Sequence, residues 1–119
     1  MSAAIILFAH GSRDPLWRRP LEAVAERIRA QAPGTPVACA YLELSEPDLL
    51  AAAAQLIGSG ANAIRIVPMF LGVGKHARED LPVLVAQLRA SHPAVSFILQ
   101  GAIGEDERLI ELLADIALH

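Results

Sequence analysis

The run AAIILFA, residues 3–9, stops at His10-Gly11, and its reading decides the fold. Seven positions without a charge or an alternating polar residue are too short and too uniform for a surface helix, and they describe a strand buried on both faces. Such a strand needs helices above and below it. The next segment supplies the first one: from Pro15 onward, Leu16, Pro20, Leu21, Val24, Ala25 and Ile28 fall on one side, with Arg18, Arg19, Glu22, Glu26 and Arg29 largely on the other. Pro20 reads as a restart of its first turn, and Pro33-Gly34 ends it.

The alternation then repeats. Val37–Leu42 (VACAYL) is a second strand, followed by Glu43 and by Ser45-Glu46-Pro47-Asp48, a polar cap with proline opening a second helix from about Pro47 to Ile57. Gly58-Ser59-Gly60 stops that helix. Ala63–Pro68 (AIRIVP) is strand three, with Met69, Phe70 and Leu71 running into its loop and Gly72-Val73-Gly74 as the turn. A third helix spans about Ala77 to Ala90, where Leu81, Leu84, Val85 and Leu88 share a face. Val95–Leu99 is strand four, and Glu105–Leu118 is the last helix. Strands alternating with helices, without hairpin signals, predict one α/β domain over residues 1–119: a single flavodoxin-like lobe with a four-stranded parallel sheet and helices on both faces. The strand order expected is 2-1-3-4, from the class rather than from any spacing.

Composition narrows the function. With 54% apolar and 19% charged residues the chain is not disordered, and a formal net charge of −3 argues against holding a nucleic acid backbone. The apolar stretches are all interrupted well before the roughly 20 residues that span a bilayer, so no membrane segment is expected. The one cysteine, Cys39, has no partner for an intrachain disulfide and reads as a small core residue; with no signal-peptide pattern at the start, a cytoplasmic location is expected.

Ligands of open parallel sheets bind beyond the carboxyl ends of the strands, near the point where strand order reverses. His10 ends strand one, Glu43 ends strand two, and the loop after strand three carries Lys75 and His76. In the order 2-1-3 these strands are neighbours, so two imidazoles and a carboxylate converge on one rim. A lone strand-end histidine is commonly a structural hydrogen-bonding residue; two beside glycines at adjacent strand ends point to function. His92, in a Ser-His-Pro turn, and His119, at the chain end, do not share that placement. Imidazole with carboxylate suits divalent cobalt, nickel, iron or zinc in an open site, and a neutral imidazole also serves as a base near cellular pH.

Other motif readings are weaker. Gly74-Lys75 resembles the end of a phosphate loop, but Met69 occupies the first glycine position and His76 the Ser/Thr position. Gly72-Val73-Gly74-Lys75-His76-Ala77 fits a loose dinucleotide fingerprint, yet Gln100 stands where the ribose-binding acid belongs. Ser12 lacks the strand-turn context of a nucleophile and reads as a turn cap. The lone lysine, Lys75, together with Arg13, Arg18, Arg19 and Arg78, can gather positive charge at the rim to suit a ligand with several carboxylates, while Arg18 and Arg19 taken singly read equally as solvating a helix surface.

Three blocks, IILFAHGSRDP, YLELSEP and VPMFLGVGKHAREDLP, closely resemble the short sirohydrochlorin chelatases of the small CbiX type, and the resemblance runs essentially the length of the chain. It implies a flavodoxin-like lobe that pairs as a homodimer. It implies insertion of a divalent metal, Co2+ first and Ni2+ or Fe2+ as alternatives, into sirohydrochlorin on the route to cobalamin, with no organic cofactor. His10 then matches the proton acceptor and a metal ligand, and His76 the second metal ligand. Glu43 and the loop Leu71, Gly72, Val73, Gly74 and Lys75 match contacts to the tetrapyrrole. Met69, Phe70, Leu71 and Val73 can supply its apolar slot, with Met69 and Phe70 equally readable as core. From a different class, a non-catalytic carrier of metal or tetrapyrrole stands as the competing expectation.

Overall fold

The computed structural model describes residues 3–119. These form four parallel strands, β1 (Ala3–Ala9), β2 (Val37–Tyr41), β3 (Ala63–Pro68) and β4 (Ser96–Leu99), in the expected order β2-β1-β3-β4. The run that opened the sequence reading is the centre of the sheet. It pairs with β2 from Ile5↔Val37 to Ala9↔Tyr41 and with β3 from Ala3↔Ala63 to Phe8↔Pro68.

Alternate residues of β1 divide the interior between two layers, as a doubly covered strand requires. Ala4, Ile6 and Phe8 join Leu49, Ala52 and Leu56 of α2 (Leu49–Gly58) and Leu81, Val85 and Leu88 of α3 (Lys75–Ser91). On the other face Leu7 packs with Val37, Tyr41 and Val67 against Leu21 and Ala25 of α1 (Arg19–Gln31). Ile6 and Phe8 are wholly buried, each removal from water contributing about 1.5–3 kcal/mol.

The helix starts differ from the sequence expectation for local reasons. The first helical segment is split, with a 3-10 turn over Pro15–Arg18 and then α1, where Pro20 sits in the first turn. Helix α2 starts at Leu49 rather than Pro47, because the Asp48 carboxylate takes the cap by accepting from the Ala51 N–H at 2.8 Å. Helix α3 starts at Lys75, two residues earlier than expected, with Gly74 as its N-cap. Lys75 and His76 therefore belong to a helical turn and not to a loop. At the C-terminal end, Asp106 caps α4 (Glu107–Leu118) after a short 3-10 turn, Ile103–Glu105.

Helix α4 adds little cover. Leu109, Leu112, Leu113 and Ile116 recur at helical spacing, yet Leu112 is 53% and Ile116 63% exposed. On β4, Ile98 is likewise exposed. Among the described residues, no helix is long and apolar enough to cross a membrane.

Candidate functional site

The carboxyl ends of β1 and β2 are tied together before any side chain reaches outward. The ladder continues past the strands, the Leu42 N–H donating to the Ala9 carbonyl at 2.9 Å. A Cβ on Gly11 would overlap the Glu43 carbonyl, so only glycine lets the two chain segments approach this closely. Ser45 then clamps the loops: its Oγ accepts from the Ser12 N–H at 3.1 Å and donates to the Ser12 carbonyl at 2.9 Å. The Ser12 hydroxyl accepts from the Asp14 N–H at 3.0 Å, the turn-capping role its sequence position suggested.

This frame sets His10 against Glu43. His10 Nδ1 lies 3.2 Å from Glu43 Oε1, and because a carboxylate only accepts, the nitrogen facing it carries the hydrogen. Nε2 of a neutral His10 is then the nitrogen with a free lone pair. Beneath the ring lies Phe70, with centroids 4.8 Å apart at 63°. Phe70 is buried in the core and also lines the apolar hollow beside His10, so it holds both of the places expected for it. The Trp17 indole N–H donates to the His10 carbonyl at 3.0 Å, fixing the backbone from the other side.

The second couple stands on α3. His76 Nε2 is 3.0 Å from Asp80 Oδ2, one helical turn on. Asp80 was not singled out in the sequence, although its spacing of four from a candidate histidine on a helix is the signal that finds it. Both couples line one cavity of about 300 Å³, with Leu42, Gly74 and Ala77 completing its wall. The convergence inferred from strand order is thus present. Among the described residues, no three His, Cys, Asp or Glu side chains are grouped closely enough to hold a metal ion together; the donors stand as two facing pairs.

A second hollow, about 440 Å³ and mainly apolar, shares His10 with the first. Leu16, Trp17, Val24, Met69 and Ile103 are among its walls, so Met69 does face a groove while Leu71 projects into solvent. The sequence placed Leu16 on an apolar helix face and did not single out Trp17, so neither stood out as a groove wall. A third hollow, about 610 Å³, lies along residues 41–48 and α2; of the candidate residues only Glu43 borders it.

The basic residues separate into two kinds. Arg78 donates to the Val73 carbonyl at 3.2 Å and Arg18 lies 6.0 Å from the Tyr41 ring centre, so both brace the chain itself. Lys75, Arg13 and Arg19 are exposed. Away from the rim, burial pushes the Cys39 thiol up, with Arg29 opposing, which fits a packing role rather than a reactive one.

Fold and rim together define a flavodoxin-like lobe whose rim cavity is lined by two imidazole–carboxylate couples. The chain belongs to the CbiX family, whose pattern matches residues 4–117. It is 29% identical over 113 residues to the sirohydrochlorin cobaltochelatase of Sulfolobus acidocaldarius, covering 95% of this chain and 88% of that one. The crystal structure of a CbiX protein from Marinobacter aquaeolei VT8 superposes with a TM-score of 0.84 at 36% identity, over 97% of this chain and 93% of that one. The sirohydrochlorin chelatase SirB from Bacillus subtilis subspecies spizizenii, solved in complex with cobalt, gives 0.81 at 27% identity, and there this chain accounts for 49% of the other.

Proposed function

We propose that the protein is a chelatase that inserts Co2+ into sirohydrochlorin. The observation that carries this reading is the placement of His10–Glu43 and His76–Asp80 on one cavity in a chain of the CbiX family. The relative from Sulfolobus acidocaldarius, matched over nearly its full length, carries that activity in its name. Imidazole and carboxylate discriminate little between cobalt, nickel and iron, so the choice of cobalt rests on that relative.

Insertion exchanges one divalent ion for the two pyrrole N–H protons of the macrocycle. His10, with Nδ1 committed to Glu43, offers Nε2 as metal ligand and then as proton acceptor, and Glu43 keeps the ring in that orientation or passes on the second proton. His76 is the second metal ligand. Two imidazoles on separate elements, with water in the remaining positions, would hold the ion loosely enough to surrender it to four ring nitrogens. Leu71, Gly72, Val73, Gly74 and Lys75 contact the tetrapyrrole. A Cβ at Gly72 or Gly74 would meet nothing within 4 Å, so those glycines serve no packing inside the chain and keep backbone open to a ligand. Lys75, Arg13 and Arg19 face the carboxylate edge of the disc, and the groove lined by Leu16, Trp17 and Met69 supports its apolar face.

The lobe works as a homodimer in the cytoplasm, with the second copy supplying what the other half of the longer SirB chain supplies there. Its support is the exposed apolar stripe of α4 and the half-length match to SirB. The test is turnover. Sirohydrochlorin and excess Co2+ are expected to give many equivalents of product per chain, followed by the macrocycle's absorption, and a folded His10→Ala variant none. A stop near one equivalent identifies a carrier, and full activity of His10→Ala removes the proposed base.

A further inference from the structure

The geometry points to Asp80 as the positioning residue of the second metal-binding imidazole: it holds His76 in the tautomer with hydrogen on Nε2, so that Nδ1 is the nitrogen presented to the divalent ion. This rests on reading the cavity as a divalent-cation site. His76 Nε2 and Asp80 Oδ2 are 3.0 Å apart, and a carboxylate has no hydrogen to give, so the shared hydrogen belongs to Nε2. The lone pair of the neutral ring is then on Nδ1. Across the same cavity the assignment is reversed, since Glu43 engages Nδ1 of His10 and frees Nε2. The two imidazoles thus present different nitrogens, each chosen by its own carboxylate.

The platform makes the choice durable. Ala77 and Leu81, one residue beyond His76 and Asp80 respectively, are buried, so this turn of α3 is anchored to the sheet while positions 76 and 80 reach the cavity. Asp80 is the better shielded of the couple, its side chain 44% exposed against 87% for His76. Solvent alone does not hold so exposed a ring in one tautomer or orientation. A carboxylate behind a ligating imidazole both orients it and raises its basicity, and losing such a partner generally costs 10- to 100-fold in metal affinity.

Two readouts on the full chain test this. Long-range 15N–1H correlation on the metal-free protein, at alkaline pH where imidazole is neutral, is expected to find the His76 hydrogen on Nε2, and to find a mixture of tautomers in Asp80→Ala. Titration with Co2+ alone is expected to show Asp80→Ala weakened about 10- to 100-fold, with Asp80→Glu recovering most of the loss. In a His76→Ala background the Asp80→Ala change is expected to add nothing. A wild-type His76 hydrogen on Nδ1, or Co2+ affinity unchanged in Asp80→Ala, overturns the assignment. A further loss in the His76→Ala background also overturns it, by making Asp80 a ligand in its own right. Neither readout involves the macrocycle, so a failure of the sirohydrochlorin reading appears separately, as wild-type protein that binds Co2+ and forms no product.

Discussion

The two imidazole–carboxylate couples are built from similar parts to different standards. His10 and Glu43 sit on separate loops locked by a glycine contact, a serine clamp and an indole hydrogen bond, with Phe70 against the ring. His76 and Asp80 share a single turn of one helix, and the His76 ring is nearly all in solvent. A proton acceptor must meet its pyrrole within a fraction of an ångström, since small misplacements at a reacting centre are costly. A ligand that takes an ion from solution must be reached by solvent, as the His76 ring is. The braced couple suits the first task and the open couple the second.

The harshest way to break this contrast is Gly11→Ala. The added methyl has only backbone to push against at Glu43, so we expect about 1–3 kcal/mol of destabilisation, read as a lower denaturant midpoint, together with loss of insertion. Gly72→Ala, with open space around it, should stay within about 0.5 kcal/mol of wild type. Equal midpoints for the two variants would remove the brace from the argument.

Glu43→Gln sharpens the comparison at less structural cost. The pair is about half exposed, so the denaturant midpoint should hardly move. The insertion rate, with the His10 ring no longer held by a carboxylate, should fall about 10- to 100-fold. A rate loss matched by an equal loss of stability would mean that Glu43 is structural.

The mildest test lies far from the rim. The Arg108 side chain beside Asp106 holds that carboxyl down at about 2, well below the usual carboxylate value. A depressed value favours the folded state above the ordinary range near 3.8 and loses that contribution as pH falls through about 2. Asp106→Asn should therefore fray α4 slightly at neutral pH, by far-UV circular dichroism, with the difference from wild type closing as the solution is acidified towards pH 2. An acid-independent difference would contradict the pairing.

What the sequence made legible follows from what repeats in it. Residues 3–9 read as a buried strand, and the strand-end rule with the strand order of the class then brought His10, Glu43 and His76 to one rim without any knowledge of contacts. The misses were local. Lys75 and His76 read as loop because Gly74 caps α3 without a side-chain hydrogen bond, leaving no polar cap to recognise. Asp80 went unremarked because His76 was placed in the loop before the helix, so their spacing of four did not read as helical.

One hydrogen bond described above makes the protein its own instrument. Trp17 is the chain's single tryptophan, its indole nitrogen 3.0 Å from the His10 carbonyl while much of its ring meets water. Tryptophan fluorescence, excited clear of Tyr41, therefore has one source, hydrogen-bonded to the backbone of the proposed base. A paramagnetic ion or a light-absorbing disc arriving at His10 quenches that emission directly, without a dye.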